Sequence, residues 1–173
     1  NSSLMKSVGI SIIMAQAGMF VPCTSFIYYP FNYLFTRIWN NDNIFRGQSS
    51  FAVEVSELMT IIKNADHNSI VLGDELCSGT ETDSANAIVA TGINQLAKRN
   101  TKFIFATHLH SLVNIPEVKD LTNVKAYHLS IRYDYETKKL IYDRHFFEWN
   151  DKLGYSLIIK KNNLSLAKVK WQI

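Results

Sequence analysis

Apolar positions along the chain fall into two rhythms. In residues 3–20, Leu4, Val8, Ile12 and Ala15 recur at helical spacing, and Ile13, Met14 and Met19 widen the stripe. That pattern predicts a helix buried on more than one side and ended by Pro22. Residues 50–63 repeat the helical rhythm with Leu58, Met59, Ile61 and Ile62 facing inward, Ser49 or Ser50 as N-cap and Glu54 near the first turn. Residues 83–98 do so with Ile88, Val89, Ile93 and Leu96, and Asn100 supplies the stop. The second rhythm is extended. "SIVLGDE" and "KFIFATHLH" are short uninterrupted apolar runs, read as buried strands. Residues 24–39, rich in aromatic and β-branched side chains, read as strands broken near Pro30, and "NNDNIFRGQSS" reads as a loop. Residues 124–145 alternate on either side of "DYETKK", which predicts a β-hairpin. The lysine-rich tail, 146–173, shows no clear pattern before "NNLSLAKVKW".

Strand, helix, strand over 70–105 is a βαβ unit, whose crossover is right-handed and whose strands are covered on both faces. The expected fold is therefore α/β, a mainly parallel sheet flanked by helices with a peripheral β-hairpin. One domain covers 1–145, followed by the tail 146–173. The length of 173 residues suits one core. A hydrophobic share of 47% with 19% charged residues excludes a disordered chain, and a net charge of +3 is too mild to point to a nucleic-acid partner. Cys23 and Cys77 match no zinc spacing, so reduced thiols in an intracellular protein are expected. No apolar run reaches the roughly 18 residues of a membrane span, so no membrane association is expected. Ser7, Ser11 and Gln16 interrupt the apolar opening, which favours a buried helix over a signal peptide. An opening without Met gives the expectation of a fragment.

The chemistry concentrates in "VLGDELCSGTET" and "FATHLH". In open parallel sheets, ligands sit at the carboxyl ends of strands. Asp74 and Glu75 end one predicted strand, Thr107 and His108 the next. Acids there can be solvated caps, and a lone histidine is more often structural; their convergence favours a site. Consecutive acids on a strand face different ways. Asp74 can then hold a hydrated Mg²⁺ while Glu75 orients an attacking water. His108 can sense a phosphate through a hydrogen bond. The opening "NSSLMKS" reads either as a helix N-cap or as the end of a phosphate-binding loop, G-x-x-x-x-G-K-S/T. The glycines and lysine of that pattern are not in these residues. Ser2 or Ser3 would be the magnesium-binding hydroxyl.

Five motifs in order make a resemblance: "SSLMKS", "QAGMFVPC", "FTRIWNNDNIFRGQSSFAVEV", "SIVLGDELCSGTET" and "FIFATHLHSL". Over about residues 2–144 the chain resembles the C-terminal ATPase domain of MutS-family mismatch-repair proteins, which are ABC-type ATPases of the P-loop NTPase class. The wording of "DELCSGTET" and "THLHSL" is most similar to the branch found in organelles and large DNA viruses. The resemblance implies ATP and Mg²⁺ as ligands. It implies Glu75 and His108 as catalytic groups, Ser3 and Asp74 at the metal, and Asn1, Ser2, Ser3, Asn43 and Ser49 at the nucleotide, with Arg37 near Asn43's segment. Ser49, Ser78, Gly79 and Thr80 would meet a second MutS-type subunit, in a homodimer. Mismatched DNA would be held by domains outside these residues. The competing reading is a dimerisation or interaction module without turnover. Transporter or chromosome-structure ABC ATPases carry L-S-G-G-Q, which "GQSSF" does not match.

Overall fold

The apolar stripe of residues 2–16 forms the first helix, α1 (Ser2–Gln16), which buries Met5, Gly9, Ser11 and Ile12. The computed structural model of the chain describes residues 2–38, 50–77, 80–134, 137–148 and 155–160. Gly18, not Pro22, ends α1. Its φ of 73° places it in the left-handed region that glycine enters freely. The Gly18 N–H then donates to Ala15 O at 3.1 Å and the Met19 N–H to Met14 O at 2.9 Å, a Schellman stop. The buried stripe is narrower than expected, for Ile13 and Met19 are each 58% exposed.

Residues 24–32 form no strand, contrary to expectation; β1 is confined to Tyr33–Arg37. The aromatic run before it is held by side chains instead. Phe26 and Tyr28 stack at 5.5 Å. The Gln16 amide donates to Phe31 O at 3.1 Å and accepts from Phe31 N–H at 3.0 Å, standing in for a strand partner. The next helix, α2 (Ser50–Asn64), turns Leu58 and Ile61 inward, but Met59 outward at 62% exposure.

A short turn then enters β2 (Ser69–Asp74), buried along its whole length. Asp66 builds that turn, accepting from the Asn68 N–H at 2.9 Å and the Ser69 hydroxyl at 2.7 Å. The Ser69 bond, foremost, holds the Asp66 carboxyl below its ordinary pKa. A depressed carboxylate stabilises the fold above its unfolded pKa, and that contribution fades as pH falls through the folded value. Asp66→Asn is therefore expected to flatten the acid limb of a melting-temperature profile below about pH 4. An acid limb as steep as that of the wild type would refute this.

The remaining elements are α3 (Thr82–Lys98), β3 (Lys102–Thr107), a 3₁₀ turn (His110–Asn114), α4 (Pro116–Lys119), β4 (Val124–Asp134), β5 (Lys139–Glu148) and β6 (Tyr155–Lys160). Asn100 does stop α3. It sits at φ 58°, with the Thr101 N–H bonded to Leu96 O at 3.1 Å. The sheet order is β1-β2-β3-β6-β4-β5. β1, β2 and β3 run parallel, while β6 pairs antiparallel with both β3 and β4, and β4 with β5. With three of its five described strand pairings antiparallel, the sheet is not the mainly parallel one expected; only β1 to β3 form its parallel half. The expected hairpin is present at one edge of the sheet. The tail that showed no pattern supplies β6, the strand joining it to β3.

Side-chain alternation divides the parallel half into two faces. Val71, Phe103 and Phe105 pack with the inner faces of α2 and α3. Ile70, Leu72, Ile104 and Ala106 pack with Met5 and Ile12 of α1. Helices thus cover both faces, and β2 and β3 end side by side between them. No helix among the described residues is long and apolar enough to cross a membrane. Cys23 and Cys77 are free thiols.

Candidate active site

The parallel register sets Asp74 opposite Ala106, so the last residues of β2 and β3 open onto one edge. Asp74 continues the face of Ile70 and Leu72 toward α1. It is only 3% exposed. Its Oδ2 accepts a hydrogen bond from the hydroxyl of Ser2, the first residue of α1. A carboxylate beside a helix N-terminus is favoured by the free N–H groups and dipole there. Its Oδ1 is buried and has no hydrogen-bond partner among the described residues. Native structures rarely leave a buried carboxylate oxygen empty-handed. Ser2 and Ser3 are both exposed; the hydroxyl that reaches Asp74 is that of Ser2, whereas Ser3 was named for the metal by resemblance.

Gly73 explains how Asp74 is held so firmly. A Cβ on Gly73 would lie 2.8 Å from Phe105 Cδ1 and 3.2 Å from Leu76 Cδ1. Only glycine lets the Phe105 ring close over the strand end. This signal was present in the sequence as a glycine within a strand, and its meaning needed the neighbour.

Glu75 parts from Asp74 by a backbone change. Its N–H still bonds Ala106 O at 2.9 Å, but its φ is 52°. The left-handed region costs a non-glycine residue about 1–2 kcal/mol. The Glu75 side chain, 33% exposed, meets His108, with Oε1 and Nε2 2.8 Å apart. An ionised carboxylate can only accept, so Nε2 carries the proton in this pair. Thr107 orients the histidine: buried at the end of β3, its Oγ1 accepts the Leu109 N–H at 3.0 Å and turns the chain outward.

Cys77 also lies at positive φ, 59°, and is buried. Burial, then the nearby Glu54, pushes its thiol pKa up, which disfavours the thiolate. Arg37, expected near the nucleotide, ends β1 opposite Gly73 and pairs with two acids of α2. Its Nε lies 2.8 Å from Glu57 Oε2 and its Nη2 3.5 Å from Glu54 Oε1. Thr80 is half-buried at the start of the loop before α3. Asn1, Asn43, Ser49, Ser78 and Gly79 lie outside the described residues.

The donor set suits a hard cation. Magnesium takes one or two carboxylate or hydroxyl oxygens and completes its octahedron with water and phosphate oxygens. An orphaned carboxylate oxygen beside a serine hydroxyl fits that description. Among the described residues no three or more His, Cys, Asp or Glu side chains converge as a metal cage.

Comparison with known proteins places the chain in a family. Residues 1–161 match the family described as MutS domain V. A DNA mismatch repair protein mutS homolog of Acanthamoeba polyphaga mimivirus is 45% identical over 163 residues, 92% of this chain and 14% of that protein. The mitochondrial DNA mismatch repair protein mutS homolog of Sarcophyton glaucum is 43% identical over 143 residues, 83% of this chain and 14% of that protein. DNA mismatch repair protein MutS of Methanococcoides burtonii is 38% identical over 136 residues, 77% of this chain and 15% of that protein. The chain thus spans about one seventh of the length of the curated relatives it matches. By the match along most of its length, the chain belongs to the MutS domain V family.

Proposed function

We propose that the chain is an ATP-binding and ATP-hydrolysing domain, of the P-loop NTPase class and ABC type, within a MutS-type mismatch-repair protein. The observation that carries this reading is the pairing of two half-sites: Ser2 with Asp74 and its orphaned Oδ1, beside Glu75 with His108. Ser2 and Asp74 would hold Mg²⁺, which when bound neutralises charge on the phosphate oxygens. Glu75 is the group that orients the attacking water and accepts its proton. His108 holds Glu75 in that direction and stands where a terminal phosphate would meet it. Ser2, at the head of α1, would line the phosphates together with Asn1 and Asn43.

Ser49 lies immediately before α2, whose N-terminal N–H groups favour anions. With Ser78, Gly79 and Thr80 it would face a second MutS-type subunit, so that each ATP site is completed across a homodimer. The relatives are named as DNA mismatch repair proteins, and this chain matches about one seventh of their length. Turnover here would therefore control a clamp on mismatched DNA formed by domains outside these residues.

A second reading has one observation in its favour. With Ser2 as the hydroxyl at Asp74, Asn1 stands where the phosphate-loop pattern carries lysine. A module that dimerises with weak turnover would tolerate that. A magnesium-dependent ATP-binding titration on the complete protein separates the two. Saturable binding that Asp74→Asn weakens by about 10–100-fold is expected. Binding that does not saturate, or that ignores magnesium, would leave the interaction module.

A further inference from the structure

The buried stripe of α3 runs through Asn86, Val89, Ala90, Ile93 and Ala97, at helical spacing. Asn86 puts an amide into that apolar stripe and is 6% exposed. Asparagine is a poor helix former. Its Oδ1 here is buried with no hydrogen-bond partner among the described residues. A buried acceptor left unmade costs stability, so leucine, of nearly the same branched shape, would suit the helix better. The other end of the amide makes a long-range bond. Asn86 Nδ2 donates to Ser111 Oγ at 2.8 Å, across 25 positions of the chain.

Ser111 belongs to the 3₁₀ turn His110–Asn114, which begins just behind His108. The His108 side chain is 50% exposed and meets Glu75 with Nε2 2.8 Å from Oε1. A ring so open to solvent takes its direction from the backbone that carries it. That backbone is pinned on both sides. Before it, the buried Thr107 hydroxyl receives the Leu109 N–H at 3.0 Å. Beyond it, the Leu112 N–H bonds Leu109 O at 3.1 Å, and Leu112 is fully buried. Both of these bonds stay within residues 107–112, whereas the Asn86 bond joins the turn to a different helix. Ser111 is exposed, so the bond reaches from the buried face of α3 to the surface turn.

We propose that Asn86 and Ser111 are positioning residues: their hydrogen bond fixes the turn behind His108 to α3, and so keeps the His108 ring on Glu75. This rests on the ATPase reading above. The test uses the complete protein and compares Asn86→Leu, Ser111→Ala and the double variant. Each is expected to lower kcat about tenfold, on the scale of a small misplacement at a reacting group. ATP affinity should not change, because Ser2 and Asp74 form a separate pair. The losses should not multiply, since the same bond is broken in all three. Melting temperature should part from kcat. Ser111→Ala leaves the Asn86 amide without its acceptor and should lower it by a few degrees. Adding Asn86→Leu should restore it while kcat stays down. A double variant with kcat within about threefold of wild type overturns the proposal. So does a loss of about a hundredfold in the double variant, which would mean two separate effects, or a fall in kcat that comes with lost ATP affinity. Should Asn86→Leu not fold, Ser111→Ala decides alone, by the same limit on kcat. Glu75→Gln run in parallel distinguishes the failures. If it retains full turnover, the ATPase reading itself is wrong; if it loses turnover while the double variant does not, only the role of the Asn86–Ser111 bond is.

Discussion

Glu75→Gln is expected to lower kcat for ATP hydrolysis by about 10²–10⁴-fold, the usual contribution of a positioned general base. ATP and magnesium binding should survive. The amide has nearly the size of the carboxylate, and its oxygen can still accept from His108 Nε2, now 2.8 Å from Glu75 Oε1. The strained backbone, tied to Ala106 O, has no reason to move. What disappears is the negative charge that, in the proposed reaction, would orient a water and take its proton. Because Asp74 and Ser2 form a separate pair on the α1 side of the strand end, the variant should trap ATP rather than reject it. Equilibrium ATP binding and steady-state turnover, measured on the same preparation, decide the matter. Undiminished turnover would remove Glu75 from the reaction. Lost binding would mean that the two half-sites are not independent.

Phe103→Ala carries the largest expected effect on the fold, about 3–5 kcal/mol. Phe103 is fully buried in β3, and its ring centroid lies 5.0 Å from that of Phe105. Phe105 is the ring that closes over Gly73. Removing Phe103 therefore loses apolar burial, opens a cavity and frees the neighbour that braces the end of β2. Total stability is about 5–15 kcal/mol for a domain, so most of the margin is at stake. The melting temperature should drop by roughly 10 °C, read by circular dichroism. A drop under about 3 °C would show that the site collapses around the deletion.

Particular residues mark how far the sequence could be read. Helices α2 and α3 and strands β2 and β3 were legible because each has a clean period: the burial of Leu58, Ile61, Val89, Ile93 and Leu96 follows it. Met59, Ile13 and Met19 broke the expectation, because a neighbouring apolar residue widens a stripe on paper whether or not a partner covers it. The aromatic stretch before β1 misled for another reason. β propensity records fitness for a pleated, half-buried surface, and residues 24–32 lie beside no strand partner; the Gln16 amide binds Phe31 and the Asn32 N–H bonds Asn68 O instead. β6 was missed because the six residues "YSLIIK" form no period long enough to stand out.

In the candidate site, Asp74, Glu75 and His108 were legible from composition at strand ends alone. Their division of labour was not. Alternation predicts that consecutive acids diverge, but the positive φ of Glu75 redirects its side chain to β3 instead of letting it follow the pleat. Glu54, read as a first-turn residue, is instead buried beside Arg37. The choice between Ser2 and Ser3 also lay beyond the sequence. Both open the same helix, one residue and about 100° apart, and only the docking of α1 against β2 turns one hydroxyl to Asp74.

Local sequence thus determined the periods, the helix stops at Gly18 and Asn100, and which chemical groups end β2 and β3. Those depend on a residue and its near neighbours, through backbone sterics and side-chain spacing. Tertiary structure decided which groups meet: Ser2 with Asp74, Glu75 with His108, and Glu54 with Arg37. Each pair joins different elements, 17 to 72 positions apart. Contacts over that distance are set by the register of a parallel sheet and the face on which each helix packs, neither of which is encoded within any one segment.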